Sequence, residues 1–359
     1  MTYIIDAHED LAYNAMTFGR DIRLSARQIR EKELGDPETV NRAMQAVTGW
    51  PDYQRGQIGL IIASIFIPPR EHATFYEAAF ETTAQARGLF TRQFEFYERL
   101  CQDNPDMYSP VRTRGDLRQV TSVWEQPADG EKTRPVGLVL SMEGAEGVAA
   151  FADFEEYWAR GLRLVGPVWA GTRYCGGTLV NEKFTDEGRQ LLEVLAGLGY
   201  GLDIAHMTAA SAEEALHRYE GPIIASHVNV QRLVKKENDR RHLSDALIRL
   251  LVERGGVMGI LPYNRFIKPD WKNSDPREWV TLDMLAEHID AVCQIAGSSR
   301  HVAIGTDFDG GFGYPAVPYE LDTIADLQKL EGVLARRGYT GEDIAAIFHG
   351  NWLRMLERI

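Results

Sequence analysis

Tyr3-Ile4-Ile5-Asp6-Ala7-His8-Glu9-Asp10 opens the chain with an apolar run that climbs into a histidine and an aspartate two positions apart. In an extended strand, residues i and i+2 project to the same side, so His8 and Asp10 converge on one point. An imidazole nitrogen and a carboxylate oxygen at that spacing suit a divalent transition metal, zinc first. Taken alone, the pair reads better as a strand end whose polar residues meet water. Recurrence shifts the balance, because the same pattern returns along the chain.

Further apolar runs follow at 59–67, 136–143, 162–169, 201–206, 222–227, 257–261 and 301–307. Short runs of this kind, without a polar alternation, are parallel strands buried on both faces. Between them, helices are expected at 71–100, 154–160, 185–198, 211–219, 244–254 and 282–296, and two more at 321–337 and 341–357 close the chain. Thr185 and Ser244 are the expected N-caps of two of these helices. Eight strands alternating with helices, with no linker between them, predict an α/β fold: a single (β/α)8 TIM-type barrel over residues 1–359. The polar stretch 102–134 is expected as a surface excursion from it. The alternative is a doubly wound open sheet, which would place a glycine-rich phosphate loop after the first strand; this chain has none there.

The 359 residues are 44% hydrophobic and 25% charged, with a formal net charge of -13. That acidity argues against nucleic acid or an anionic membrane as the main partner, since both need a basic surface. Cys101, Cys175 and Cys293 are odd in number and not closely paired, which favours a reducing compartment over a disulfide framework. The first strand starts almost at once, leaving no room for a secretory leader. No apolar run reaches the ~20 residues needed to span a bilayer. Cytoplasmic is the resulting expectation.

Ligand-type residues gather at the C-terminal ends of the expected strands: His8 and Asp10, then Glu143, His206, His227 and Asp307. In a barrel those ends face one cavity, where active sites of this fold are built. Three histidines and several carboxylates exceed the need of one tetrahedral zinc and suit two metals sharing a bridging carboxylate. Glu143, from a strand between the two groups, is the natural bridge. His8 and Asp10 then serve one metal, and His206 and His227 the other. Asp307 is either a further ligand or the group that handles a proton. The other histidines are less well placed: His217 and His288 lie within helices, His72 and His349 in polar surroundings, and His301 at the wrong strand end.

The run Ile304-Gly305-Thr306-Asp307-Phe308-Asp309-Gly310 resembles the Gly-x-Asp-Phe-Asp-Gly signature of the membrane dipeptidase (renal dipeptidase) family of zinc peptidases. It is joined by the N-terminal His-x-Asp, Glu143-Gly144, Ile204-Ala205-His206, Ser226-His227 and Gly350-Asn351-Trp352-Leu353, in family order from Ile5 to Leu353. The resemblance implies two zinc ions per chain in a barrel that hydrolyses dipeptides, or related N-acyl amino acids, through a metal-bridging hydroxide. It implies that His8, Asp10 and Glu143 bind one zinc, and that Glu143, His206 and His227 bind the other. Asp307 matches the family's acid/base aspartate. Arg241 matches the arginine that holds the substrate's carboxylate, a role that suits a bidentate guanidinium. The implied partner is therefore a small molecule with a free carboxylate, and a homodimer stands among the expectations because dimers occur in the family.

The chain also departs from the family pattern. Trp169 stands where the family usually has a histidine that polarises the scissile carbonyl. An indole N–H donates one hydrogen bond and carries no charge, and losing such a donor typically costs about 10²–10³ in turnover. Trp169 nonetheless remains a substrate-contacting position. Glu9, Ala12 and His242 also differ from the common residues. Two rival readings follow: a binuclear amidohydrolase-type barrel acting on another amide, a lactone or a phosphoester, or a metal-stabilised homologue without catalysis.

Overall fold

The computed structural model describes residues 2–73, 78–126, 133–234 and 240–359. Nine strands occur in it: β1 (Ile4–Glu9), β2 (Ile58–Phe66), β3 (Tyr108–Pro110), β4 (Val136–Glu143), β5 (Leu162–Gly166), β6 (Gly201–Asp203), β7 (Ile223–Ala225), β8 (Val257–Ile260) and β9 (Val302–Ile304). All pair in parallel, in the order β1-β2-β4-β5-β6-β7-β8-β9, and β3 adds to β4 off that path. An open doubly wound sheet would reverse its strand order partway. Here each strand of the main path lies beside the next without a reversal, so the expected barrel is the fold.

The seam between β9 and β1 has no regular ladder. A single parallel bridge joins Glu9 to Phe308, and the Asp307 N–H donates to the His8 carbonyl at 3.1 Å. Below them the buried Asp6 carboxylate accepts the Thr306 N–H at 2.8 Å and also the Thr306 hydroxyl. The chain's first strand and its last thus close the ring through a side chain, and this brings His8 beside Asp307.

β1, β2 and β4 are buried along their whole length, as expected for strands covered on both faces. The helices form an outer layer. Thr82, Thr113, Thr185, Thr208, Ser244 and Thr340 each cap a helix N-terminus by accepting a backbone N–H. The helix expected from residue 71 begins later, at Thr83–Asp103, because the Thr82 capping box with Gln85 fixes its start. The stretch 102–134 supplies β3 and the helix Arg114–Glu125, whose Leu117, Val120 and Trp124 are buried against the barrel. Residues 127–132 of that stretch lie outside the described residues. Among the described residues, no helix is long and apolar enough to cross a membrane.

Two glycines admit the backbone under the site. A Cβ on Gly305 would sit 1.8 Å from the Ser226 carbonyl oxygen, and one on Gly259 would sit 1.9 Å from the same atom. Neither approach leaves room for a methyl group. Gly305→Ala is expected to cost about 1–3 kcal/mol as overpacking, measured as an earlier urea midpoint, and to displace Ser226-His227. An unchanged midpoint would show that the strands can part there freely.

Candidate metal centre

Asp10 occupies the N-cap position of the helix Leu11–Phe18, yet its side chain caps nothing. Its carboxylate instead turns into the barrel mouth, where it accepts the Ser64 hydroxyl and stands 3.7 Å from His8 Nε2. Tyr97 braces this corner, donating to the Ser64 carbonyl at 2.7 Å and accepting the Ala12 N–H. The convergence expected for the first strand is therefore present.

Glu143, at the end of β4, meets all three histidines. Its Oε2 lies 3.6 Å from His8 Nε2, and its Oε1 lies 2.9 Å from His206 Nε2 and 3.4 Å from His227 Nε2. The two Nε2 atoms of His206 and His227 are 3.0 Å apart. Donor atoms of His8, Glu143 and His227 fall within 4.8 Å of one another, as do those of His8, Asp10 and Asp307. The five residues expected as ligands therefore come together, with Asp307 close enough to join them.

In His206 and His227 the ring nitrogen facing away from the cluster is engaged from behind. His206 Nδ1 pairs with the Thr178 hydroxyl at 2.8 Å, and His227 Nδ1 with the Ser226 hydroxyl at 2.7 Å. Ser226 in turn donates its hydroxyl and its N–H to the buried Asp203 carboxylate. Such partners orient an imidazole and hold its tautomer. They leave both Nε2 atoms pointing into the mouth.

The fit to a cation is tested by atoms that lack partners. His8 Nε2 and Glu143 Oε1 are buried with no hydrogen-bond partner, an arrangement that is costly unless something else satisfies them. Nitrogen and carboxylate donors in this mixture suit divalent metals, zinc among them. The residues present therefore fit metal ions.

Electrostatics agree with that. Burial, with help from Arg241, pushes the His206 imidazole down to about 4, against the pull of Glu143. Burial, with His8 and Arg241, drives His227 well below its usual range, so both rings are neutral and able to ligate at pH 7. Burial penalises the charged forms of His8 and Glu143, but Glu143 and Asp10 raise the His8 imidazole well above its ordinary value, and His206, His8 and His227 hold the Glu143 carboxyl well below its own. Burial raises Asp307 well above the carboxylate range, and Asp10 and Glu143 add to it against His8 and Arg241.

His206 and Asp307 both have positive φ, 67° and 53°, a region that costs a non-glycine residue of order 1 kcal/mol or more. Each left-handed step falls three residues past its strand, where the chain turns at the mouth. Asp309, the second aspartate of the Asp-Phe-Asp-Gly run, is also at positive φ (62°) but points elsewhere. It accepts the N–H groups of Val47 at 3.0 Å and Thr48 at 3.1 Å and pairs with Arg20 at 3.4 Å. Asp309→Ala is expected to destabilise the protein by about 3 kcal/mol, since it leaves buried donors and a buried guanidinium short of a partner. Thermal melting should show the loss while metal analysis shows none; a parallel loss of metal would place Asp309 in the centre.

Arg241 is buried and donates to the His227 carbonyl at 2.7 Å, which puts it beside the cluster. Trp169 lines the mouth together with Phe66, Tyr13 and His72, in a pocket that also contains Asp10, Glu143, His206 and Asp307. His72 was expected in polar surroundings away from the site and instead lies on its rim. His288 is a structural histidine as expected, buried and accepting the Val230 N–H at 3.1 Å. The sequence reading did not find Ser64, Thr178 or Asp203. Only Asp203 left a trace, as a charged residue inside the apolar run Gly201-Leu202-Asp203-Ile204.

The structure is a parallel barrel with metal-ligating side chains gathered at its mouth. The sequence profile of the membrane dipeptidase family (Peptidase family M19) matches residues 1–359, and the chain belongs to that family. An uncharacterised dipeptidase of Schizosaccharomyces pombe is 25% identical over 99% of this chain and 80% of its own length. An uncharacterised Klebsiella pneumoniae protein encoded in the pqqA 5' region is 30% identical over 65% of this chain and 86% of its own. Among solved structures, a metallopeptidase from Rhodobacter sphaeroides, liganded with a phosphinate mimic of the dipeptide L-Ala-D-Ala, superposes with a TM-score of 0.78 at 20% identity, covering 100% of this chain and 99% of that one. A probable dipeptidase from Pseudomonas aeruginosa gives 0.79 at 18% identity, covering 99% and 95%. At those identities the likeness speaks for the fold. The family match makes this chain a dipeptidase-like metal-dependent hydrolase.

Proposed function

We propose that this chain hydrolyses the amide bond of dipeptides, or of closely related N-acyl amino acids, with two zinc ions held at the barrel mouth. The observation that carries the reading is Glu143 facing His8, His206 and His227 at once, with His8 Nε2 and its own Oε1 otherwise unsatisfied. His8, Asp10 and Glu143 would hold one ion, and Glu143, His206 and His227 the other. When bound, such ions supply a lowered pKa for water and an electrophilic partner for a carbonyl oxygen.

The chain's own groups do the rest. Arg241, fixed against the His227 carbonyl, presents its guanidinium to the substrate's carboxylate and so sets which bond lies over the cluster. Asp307 accepts a proton from the attacking water and returns it to the departing amine. Burial favours the neutral form of this acid, which suits the second half of that transfer. Trp169 packs along the substrate and donates at most one neutral hydrogen bond.

The test is a turnover panel on the zinc-loaded protein: dipeptides, the same dipeptides amidated at their C-terminus, N-acyl amino acids, lactones and phosphoesters. Dipeptides should be cleaved and their amides should be much poorer substrates, with the difference appearing in KM because Arg241 contributes binding. Cleavage of lactones or phosphoesters in preference to every dipeptide would overturn the reading.

A further inference from the structure

The barrel order fixes what lies across from Arg241. In the ring β1-β2-β4-β5-β6-β7-β8-β9, the strand four places from β7 in either direction is β2. Arg241 is tied to the carbonyl of His227, just beyond β7. A dipeptide whose carboxylate is held there crosses the metal cluster toward the end of β2, and its first residue arrives at Phe66.

That end of the mouth is aromatic. Phe66 meets Tyr13 edge to face, with ring centroids 5.4 Å apart and planes at 67°. It meets Trp169 in the same manner at 5.3 Å and 66°. The wall is held from outside: Tyr13 packs edge-on against Phe18 at 5.6 Å. Gln93 clamps the Phe66 backbone, accepting its N–H at 3.0 Å and donating to its carbonyl at 2.7 Å. Trp169 reaches from this wall to the metal cluster, its ring centroid 6.2 Å from that of His206. All three rings line the same pocket as Glu143 and Asp307.

We infer that Tyr13, Phe66 and Trp169 form the subsite for the first residue's side chain, and that this chain selects dipeptides whose first residue is large and apolar. The inference rests on the dipeptidase reading above and names the substrate class that reading leaves open. Interlocked rings present a rigid apolar face, and contact with it removes a Leu- or Phe-sized side chain from water. The indole is what makes the wall continuous with the reaction centre. A smaller side chain at position 169 would leave a gap between Phe66 and His206, where a substrate side chain would stay wet.

The experiment compares kcat/KM across Gly-Ala, Ala-Ala, Leu-Ala, Phe-Ala and Lys-Ala, and across the mirrored Ala-Gly, Ala-Leu and Ala-Phe, on the metal-loaded full chain. The first series should rise by about 10–100-fold from Gly-Ala to Leu-Ala or Phe-Ala, mostly through KM, and the mirrored series should stay nearly flat. Trp169→Ala and Phe66→Leu should each collapse the first series toward a flat profile, with metal content confirming an intact centre. A flat first series in the unaltered protein, a preference for Lys-Ala, or a Trp169→Ala variant that keeps the original selectivity would each overturn the subsite. Turnover with a flat profile removes the subsite alone; no turnover of any member with metal bound removes the dipeptidase reading, and the subsite with it.

Discussion

Glu143→Gln empties the centre. Glu143 lies within 4 Å of His8, His206 and His227 together, so its charge serves both proposed sets of ligands. An amide keeps the shape but presents one neutral oxygen and an NH₂ group that repels a cation. Even loss of a partner behind a ligand costs about 10–100-fold in metal affinity or activity, and removing a shared carboxylate should exceed that. Elemental analysis after dialysis should find well under two ions per chain, with turnover lost. The unaltered protein should melt at a higher temperature with zinc than after chelation, because an ion that binds only the folded state stabilises it. The variant should lose most of that difference. Two tightly held ions in Glu143→Gln would take this residue out of the centre.

Asp307→Asn should separate the two readouts, keeping the ions and losing the rate. Asp307 Oδ1 is 4.0 Å from His8 Nε2 and groups with His8 and Asp10, so the geometry admits it as ligand or as proton carrier. The two roles separate cleanly on substitution. A proton carrier replaced by an amide should lower kcat by about 10²–10⁴ while metal content and KM hold. A ligand replaced by an amide should release an ion, and restoring turnover by raising the zinc concentration would then remove the acid/base role.

The barrel was legible because its strands are buried on both faces. A run such as Gly59–Ile67 or Val136–Glu143 needs no partner to be recognised, and where it closes on a carboxylate or imidazole, as at Glu143, that residue announces the mouth. His8, Asp10, Glu143, His206 and His227 were found for that reason, and the structure gathers them. Helix starts were less legible. The helix now at Thr83 was expected from residue 71 because the amphipathic spacing runs on upstream, whereas the Thr82–Gln85 capping box decides the boundary locally. Ser64, which holds the Asp10 carboxylate, and Thr178 were not legible as site residues. A hydroxyl that orients a ring from behind has no spacing rule linking it to that ring, and Thr178 reaches His206 from a different loop. His72 was misplaced because its neighbours along the chain are polar, although its position at the pocket rim depends on how the segment after β2 folds back.

The seam closed by Asp6 and Thr306 has a consequence for how the enzyme comes into being. Asp307 leaves the ribosome about 15–60 s after His8 at ~5–20 residues per second. Until the Ile304-Gly305-Thr306-Asp307 segment emerges, the Asp6 carboxylate has no hydroxyl to accept and the ring stays open. The ring therefore closes only after two segments 300 residues apart have both been made.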